Sequence, residues 1–516
     1  MRDIIFIVGE KDDVMTLAEA TKALADLQKK MYALNHATGI IYLDSVTVAP
    51  EDTAVGRGET LGILSGFSYE LFANPQTEEL LKFLAEHRDE LTMQQAREVE
   101  MLTRDYERIS KIPQDEYVEY QKLINEAQSV WHRAKKENDF PAFAPYIEKI
   151  AAANRKFAGY FNPGKHPYNV TLDHYERGLT MEKLDVFFGK LRETIVPLLH
   201  RIRNEAEQVD DSFLHQEFPV EQQRKLSDYL MEVMAIDRRH CGIGETEHPF
   251  TINFNKYDVR ITTKYHTDSI TSSMYSVIHE GGHALYELGT ADELMYTCLA
   301  AGISMGVHES QSRLFENIIG RSESFINLIF PKLKELFPKQ LENVDAHQFY
   351  LAVNKCEPSL IRIEADELTY CLHIMVRYEI EKMLFEGTVS VNELPQVWAK
   401  LMKEYLGVDV PDDSRGVLQD SHWSGGSMGY FPSYAIGSAY SAQIIHKMRQ
   451  EIDVDGIIAS GNLRPIVEWL EERIYKYGSM LDPDEVIRNC CGEPFDPTYF
   501  VDYLTEKFKG IYNLKD

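Results

Sequence analysis

Ser272-Ser273-Met274-Tyr275-Ser276-Val277-Ile278-His279-Glu280-Gly281-Gly282-His283-Ala284-Leu285-Tyr286-Glu287-Leu288 is the stretch on which the reading of the chain turns. Met274, Val277, Ile278, Leu285 and Leu288 recur at helical spacing, which predicts an amphipathic helix. Positions i and i+4 share a face of such a helix, so His279 and His283 can both reach one metal ion. Glu280 stands beside the first of them, near the ion but off the shared ligand face. That is where a base for the attacking water is needed. Gly281 and Gly282 cost a helix interior about 1 kcal/mol each relative to Ala. A cost of that kind makes sense where another part of the chain must approach the backbone closely.

Two imidazoles do not complete a catalytic zinc site, which usually takes three protein ligands and an open position. The next helical segment, Gly302 to Ile319 (GISMGVHESQSRLFENII), offers His308 and Glu309. Enough chain separates Glu309 from His283 for a helix end, a loop and a returning helix. Glu309 is the expected third ligand and His308 the runner-up. Ligand histidines need acceptors behind them, and Glu316 is a candidate for that role, a plain solvated glutamate being the equal alternative.

Outward from this centre, the 516 residues carry a formal net charge of −28, with 44% hydrophobic and 26% charged residues. That is the composition of a globular protein with a sizeable core. Its acidity argues against a nucleic-acid partner and disfavours anionic membrane surfaces. Cys241, Cys298, Cys356, Cys371, Cys490 and Cys491 are scattered without a CxxC pair, as expected of reduced thiols. The apolar run Ile4–Val8 is too short for a signal segment, and no stretch reaches 18 uninterrupted apolar residues. The expectation is a cytoplasmic protein with no membrane span.

Helical periodicity dominates residues 14–37, about 75–160 and about 181–236, with an interruption at Pro113. The chain reads as one mainly α catalytic domain over 1–516, with an N-terminal helical half (about 1–240) and a half carrying the metal site (about 241–516). The pattern breaks at His248–Tyr265. There Phe250, Ile252 and Phe254 alternate with polar residues, as do Val259 and Ile261, around Asn255–Asp258. This is a strand–turn–strand signal. The exposed edge of such a hairpin can pair with an extended peptide, though it can equally be a plain connection.

Taken together the motifs resemble those of the M32 metallocarboxypeptidases, the thermostable carboxypeptidase 1-like enzymes. The marks come in order: His248-Pro249-Phe250, Asp258-Val259-Arg260-Ile261-Thr262, the HEGGH segment and His308-Glu309-Ser310-Gln311. Ile361-Arg362-Ile363-Glu364-Ala365-Asp366 and Gly416-Val417-Leu418-Gln419-Asp420-Ser421-His422-Trp423 follow. The resemblance implies a helical, two-sided groove fold similar to angiotensin-converting enzyme and neurolysin, with a small β-hairpin beside the active site, and a homodimer. Two features depart from it. Tyr42-Leu43-Asp44-Ser45-Val46-Thr47-Val48-Ala49-Pro50 has one residue more than the family's Trp-Asp-x-x-Thr-x-Met-Pro, and the first dozen residues look like an extension.

The resemblance also implies site roles. Arg362 and Arg260 would line the groove, Arg362 being the choice for the substrate's terminal carboxylate because its fork matches a carboxylate. The alternatives are an internal pair of Arg362 with Glu364 or Asp366, and of Arg260 with Asp258. His248 looks like a substrate-binding residue. By analogy with related metallopeptidases, Tyr434 and His422 would stabilise the oxyanion, with Tyr430 second to Tyr434. The Gly-rich run Ser424–Gly429 is either a flexible loop beside the groove or a linker. The expected activity is removal of C-terminal residues from peptides with a free C-terminus, dependent on Zn2+, with Co2+ able to substitute. An oligopeptidase or dipeptidyl peptidase of the same fold is the nearest alternative. A non-catalytic peptide-binding helical protein is the alternative of another class.

Overall fold

A computed structural model of the chain describes residues 15–515. The expected N-terminal extension and the run Ile4–Val8 lie outside the described residues. The architecture is mainly helical and falls into two compact units, one running up to Lys111 together with Leu294–Ala300, the other comprising Ile112–Glu293 and Ala301–Asp516.

The first unit holds α1 (Leu17–Thr47), α2 (Ala54–Phe72), α3 (Pro75–Glu86) and α4 (Met93–Ser110). Thr16 and Thr92 start α1 and α4 with reciprocal caps. Each hydroxyl accepts an N–H one turn in, and Glu19 or Gln95 reaches back to the cap's own N–H. Leu24, Leu27, Leu80, Leu84, Val99 and Leu102 form this unit's core. The segment 294–300 joins it where the Cys298 N–H donates to Gln28 Oε1 at 2.8 Å. Tyr42–Pro50 covers the last turns of α1 and the residues just after it.

The second unit begins with α5 (Gln114–Glu137), α6 (Phe140–Phe161), α7 (Pro167–Tyr175), α8 (Met181–Glu205) and α9 (Val220–Val233). Pro113, the expected interruption, is the N-cap of α5. A sheet follows, made of β1 (Cys241–Glu245), β2 (Thr251–Asn255) and β3 (Asp258–Thr263). Then come α10 (Ile270–Leu288), α11 (Met305–Arg313), α12 (Glu323–Leu336), α13 (Ala346–Val353), α14 (Glu367–Glu386), α15 (Leu394–Leu406) and α16 (Phe431–Glu451). Further helices lead to the C-terminus. Leu314–Ile319 continue α11 as a π-helix.

The expected hairpin is β2 and β3, antiparallel with Ile252 opposite Arg260. The structure adds a strand that periodicity did not reveal. β1 pairs parallel with β3, giving the order β1-β3-β2. Cys-Gly-Ile-Gly-Glu has two glycines and no polar–apolar alternation, so it carries no strand signal of its own. It is a strand because β3 supplies a partner. One large core unites Val277, Ile278 and Leu285 of α10 with Val307 of α11 and Ala435 and Ile436 of α16. Among the described residues no helix is long and apolar enough to cross a membrane. All six cysteines carry free thiols.

Candidate metal centre and active site

The site is built on a close approach of backbones. A Cβ added at Gly282 would stand 2.7 Å from the Gln311 carbonyl oxygen and 2.8 Å from Ser312 Cα. Helix α11 thus lies against α10 at a distance that only glycine permits. Gly281 faces the Met234 side chain, with Cε 2.8 Å from where its Cβ would be. On the other side of α11, a Cβ at Gly437 of α16 would meet Glu309 Cβ at 2.6 Å. Glu309 is therefore wedged between α10 and α16 by two glycines that leave it no room to drift.

His279, His283 and Glu309 converge, each offering one ligand atom, with all three atoms within 4.8 Å of one another. Glu309 Oε2 lies 3.8 Å from His279 Nε2 and 3.6 Å from His283 Nε2. Its other oxygen accepts from Arg313 Nε at 2.7 Å, which fixes the carboxylate's rotation. Both imidazoles are turned by their far nitrogens. His279 Nδ1 is 2.7 Å from Glu316 Oε2, the acceptor expected for it. His283 Nδ1 is 2.7 Å from His308 Nδ1, whose Nε2 lies 2.6 Å from Glu287 Oε1. If His283 ligates through Nε2, its Nδ1–H donates to His308 and the His308 Nε2–H donates to Glu287. One tautomer assignment satisfies the whole chain. His308, the runner-up ligand, thus stands behind His283 rather than beside it. Glu287 was missed, although it sits four residues after His283, on the same helix face.

The donor set fits a divalent cation. Burial alone would lower the pKa of His279, but Glu309 and Glu316 outweigh it and raise it to about 9. Buried His283 is driven down to about 3. Burial pushes Glu309 and Glu316 up, yet Arg313 and the imidazoles hold both below the usual carboxylate range. The pocket has more negative charge than its guanidiniums answer, so it draws a proton onto His279. A dication between two neutral imidazoles and a carboxylate answers the same charge.

Glu280 is buried, and burial raises its pKa above the ordinary carboxylate value. Its Oε2 accepts from Thr251 Oγ1 of β2 at 2.7 Å, so the sheet holds the group adjacent to the His279–His283–Glu309 cluster. Thr251→Val should lower kcat about tenfold with full metal content. Initial rates alongside metal analysis test this, and an unchanged rate would show that the hydroxyl does not orient Glu280.

Tyr434, His422 and Arg362 meet on the Glu309 side of this cluster, where the Tyr370 ring packs against both Arg313 and Tyr434. His422 Nε2 and Tyr434 Oη are 3.4 Å apart. Burial lowers His422 to about 4 and raises Tyr434 far above its ordinary value, so both are neutral at pH 7. The Tyr430 ring stands edge-on to Tyr434 at 5.0 Å between centroids. Arg362 is buried with its guanidinium 5.2 Å from the Tyr434 ring. Its partner is neither Glu364, which is exposed, nor Asp366, which caps α14. It is Asp420, reached by Nη2 at 2.8 Å and Nε at 3.1 Å. Arg377 takes the other oxygen of Asp420, with Nε at 2.7 Å. Arg260 is held by Asp258 through two bonds of 2.8 and 2.9 Å, the internal alternative foreseen for it. His248 is exposed between β1 and β2. A cavity of about 620 Å³ opens against His422, Tyr430 and Tyr434, walled by Trp131, Gln128 and Tyr175.

The family model of the carboxypeptidase Taq (M32) metallopeptidases matches residues 23–508. Carboxypeptidase 1 of Bacillus subtilis is 38% identical over 494 residues, which is 96% of this chain and 99% of that protein. Thermostable carboxypeptidase 1 of Thermus thermophilus is 35% identical over 511 residues, 96% of this chain and all of that one. The crystal structure of the M32 carboxypeptidase from Deinococcus radiodurans R1 superposes with a TM-score of 0.93 at 31% identity, covering 96% and 100% of the two chains. With matches of this extent along almost its whole length, the chain belongs to the M32 family of metallopeptidases.

Proposed function

We propose that the protein is a zinc-dependent carboxypeptidase that hydrolyses the last peptide bond of substrates with a free C-terminus. The observation that carries this is the convergence of His279, His283 and Glu309 beside the buried carboxylate of Glu280. Those three residues would hold Zn2+, and Co2+ suits the same donors. When bound, the metal supplies Lewis acidity, polarising a carbonyl and making water a better nucleophile near neutral pH.

The chain's own groups do the rest. Glu280 takes the proton of the attacking water and hands it to the leaving amine, a role favoured by its raised pKa. Tyr434 and His422 donate to the oxyanion as it forms. Arg362 serves the substrate's terminal carboxylate. This is supported by two guanidiniums sharing the single carboxylate of Asp420, which leaves net positive charge beside Tyr434. Arg260 and His248 extend the substrate contacts. We also read all these residues as parts of one catalytic domain with a groove like that of angiotensin-converting enzyme and neurolysin, a reading supported by helices α10, α11, α14 and α16 around the site. A homodimer in the cytoplasm completes the proposal, on the family resemblance and the free thiols.

A panel of peptides, each as free acid and C-terminal amide, tests it. The free acids should lose their last residue, chelator should stop the release, and Zn2+ or Co2+ should restore it. Cleavage of the amides at a similar rate would point to an oligopeptidase instead.

A further inference from the structure

Behind the Gly-rich run lies a carboxylate that the chemistry above leaves without a role. Glu381 of α14 is fully buried, and three groups donate to it. The Trp423 Nε1–H reaches Oε1 at 2.7 Å. The Gly429 N–H and the Tyr168 hydroxyl of α7 both reach Oε2 at 2.8 Å. These three partners are neutral. Arg377, one turn back on the same helix, is spent on Asp420, Gln419 and the His373 carbonyl. A buried carboxylate facing only neutral donors is costly, and its burial pushes it up to about 7.

Chain order shows what the arrangement achieves. Trp423 directly follows His422, and Gly429 directly precedes Tyr430 and the start of α16. One carboxylate therefore ties both ends of the loop 423–429. Between those ends the backbone turns through positive φ at Gly426 and again at Gly429. A Cβ at Gly429 would stand 2.9 Å from Thr171 Cγ2 of α7, so the loop is also pressed against that helix. The run is anchored at its ends and not a loose flap.

We infer that Glu381 is a positioning residue for the oxyanion side of the site, holding His422 and, through the start of α16, Tyr434 in one fixed relation. This rests on the oxyanion role proposed above for those two residues. The residue type is required by the donors. The N–H groups of Trp423 and Gly429 cannot turn round to accept, so each needs an acceptor oxygen. A glutamine offers one oxygen and sets an NH2 against the other N–H. Glu381→Gln should thus release one end of the loop, and Trp423→Phe should release the His422 end alone.

The test uses the full chain loaded with Zn2+. It reads kcat, KM and metal content, together with inhibition by a peptide phosphonate, which imitates the tetrahedral species, and by the product amino acid. Trp423→Phe should lower kcat about tenfold and weaken the phosphonate by a similar factor. KM, metal content and product inhibition should stay unchanged. Glu381→Gln should do the same to a larger extent. Should it fail to fold, Trp423→Phe decides. Wild-type kcat in Trp423→Phe, or equal weakening of phosphonate and product, would overturn the inference. Tyr434→Phe, run in parallel, separates the two layers. Full turnover there removes the oxyanion assignment and the clamp's purpose with it. Loss there with none in Trp423→Phe removes the clamp alone.

Discussion

Glu280→Gln is expected to lower turnover by roughly 100- to 10,000-fold while the protein keeps its metal. The substitution preserves shape, and the Thr251 hydroxyl, 2.7 Å away, can still donate to the amide oxygen. The three converging donors belong to other residues, so metal affinity has no reason to change. What is lost is a group able to take a proton and return it. Burial raises Glu280 above the ordinary carboxylate range, which makes it a better base than a solvated glutamate. The measurement is kcat with metal content on the same sample. A variant that turns over normally with full metal would place the base elsewhere.

The second large effect is expected from Gly282→Ala, set against Gly281→Ala. At Gly282 the new methyl would strike the backbone of Gln311 and Ser312, which cannot swing aside. The helices must separate, at a cost of about 1–3 kcal/mol, and the alanine's helix propensity of about 1 kcal/mol offsets only part of that. Separation draws Glu309 from the two imidazoles, so metal affinity should fall about 10- to 100-fold, a loss of the size seen when the supports of a metal site are disturbed. At Gly281 the methyl meets Met234 Cε, the free end of a long side chain, with Ile236 Cδ1 next at 3.0 Å. That end can move, and metal affinity should hold. Chelator competition and thermal unfolding on both variants check this. Equal loss of metal in the two would sink the account of why Gly282 is glycine.

The cluster of His279, His283 and Glu309 was legible because its signals are local. The stripe on α10, the four-residue spacing of the histidines and the two costly glycines all sit within one helix, and Glu309 and Glu316 lie on the next segment. The glycines even announced a close neighbour, though not that it would be the backbone bearing Glu309. What escaped depends on residues far apart in sequence. β1 is a strand only because β3 lies beside it. The partner of Arg362 was sought among its neighbours, but a 3-10 turn at Arg362–Glu364 leaves Glu364 in solvent and Asp366 capping the next helix. Asp420, 58 residues on, takes their place. The pair His308–Glu287 went unread although the i+4 spacing from His283 to Glu287 was there to be used. Glu381 carried no signal, being one of four glutamates in a helix whose buried residues lie all round it.

The π-helical stretch Leu314–Ile319 makes the length of this segment a quantity that cannot be extended freely. Arg313 grips Glu316 from before the widened coil, and Arg321 reaches it from beyond, at 3.5 Å. Inserting one more residue between Glu316 and Arg321 would overfill a coil already widened by one, and would swing everything after it by about 100°. Arg321 would leave with that rotation, and Glu316 would face His279 with a single cation at its back. The widened coil has already taken up its one spare residue, so natural variation here should arrive as substitutions and not as insertions.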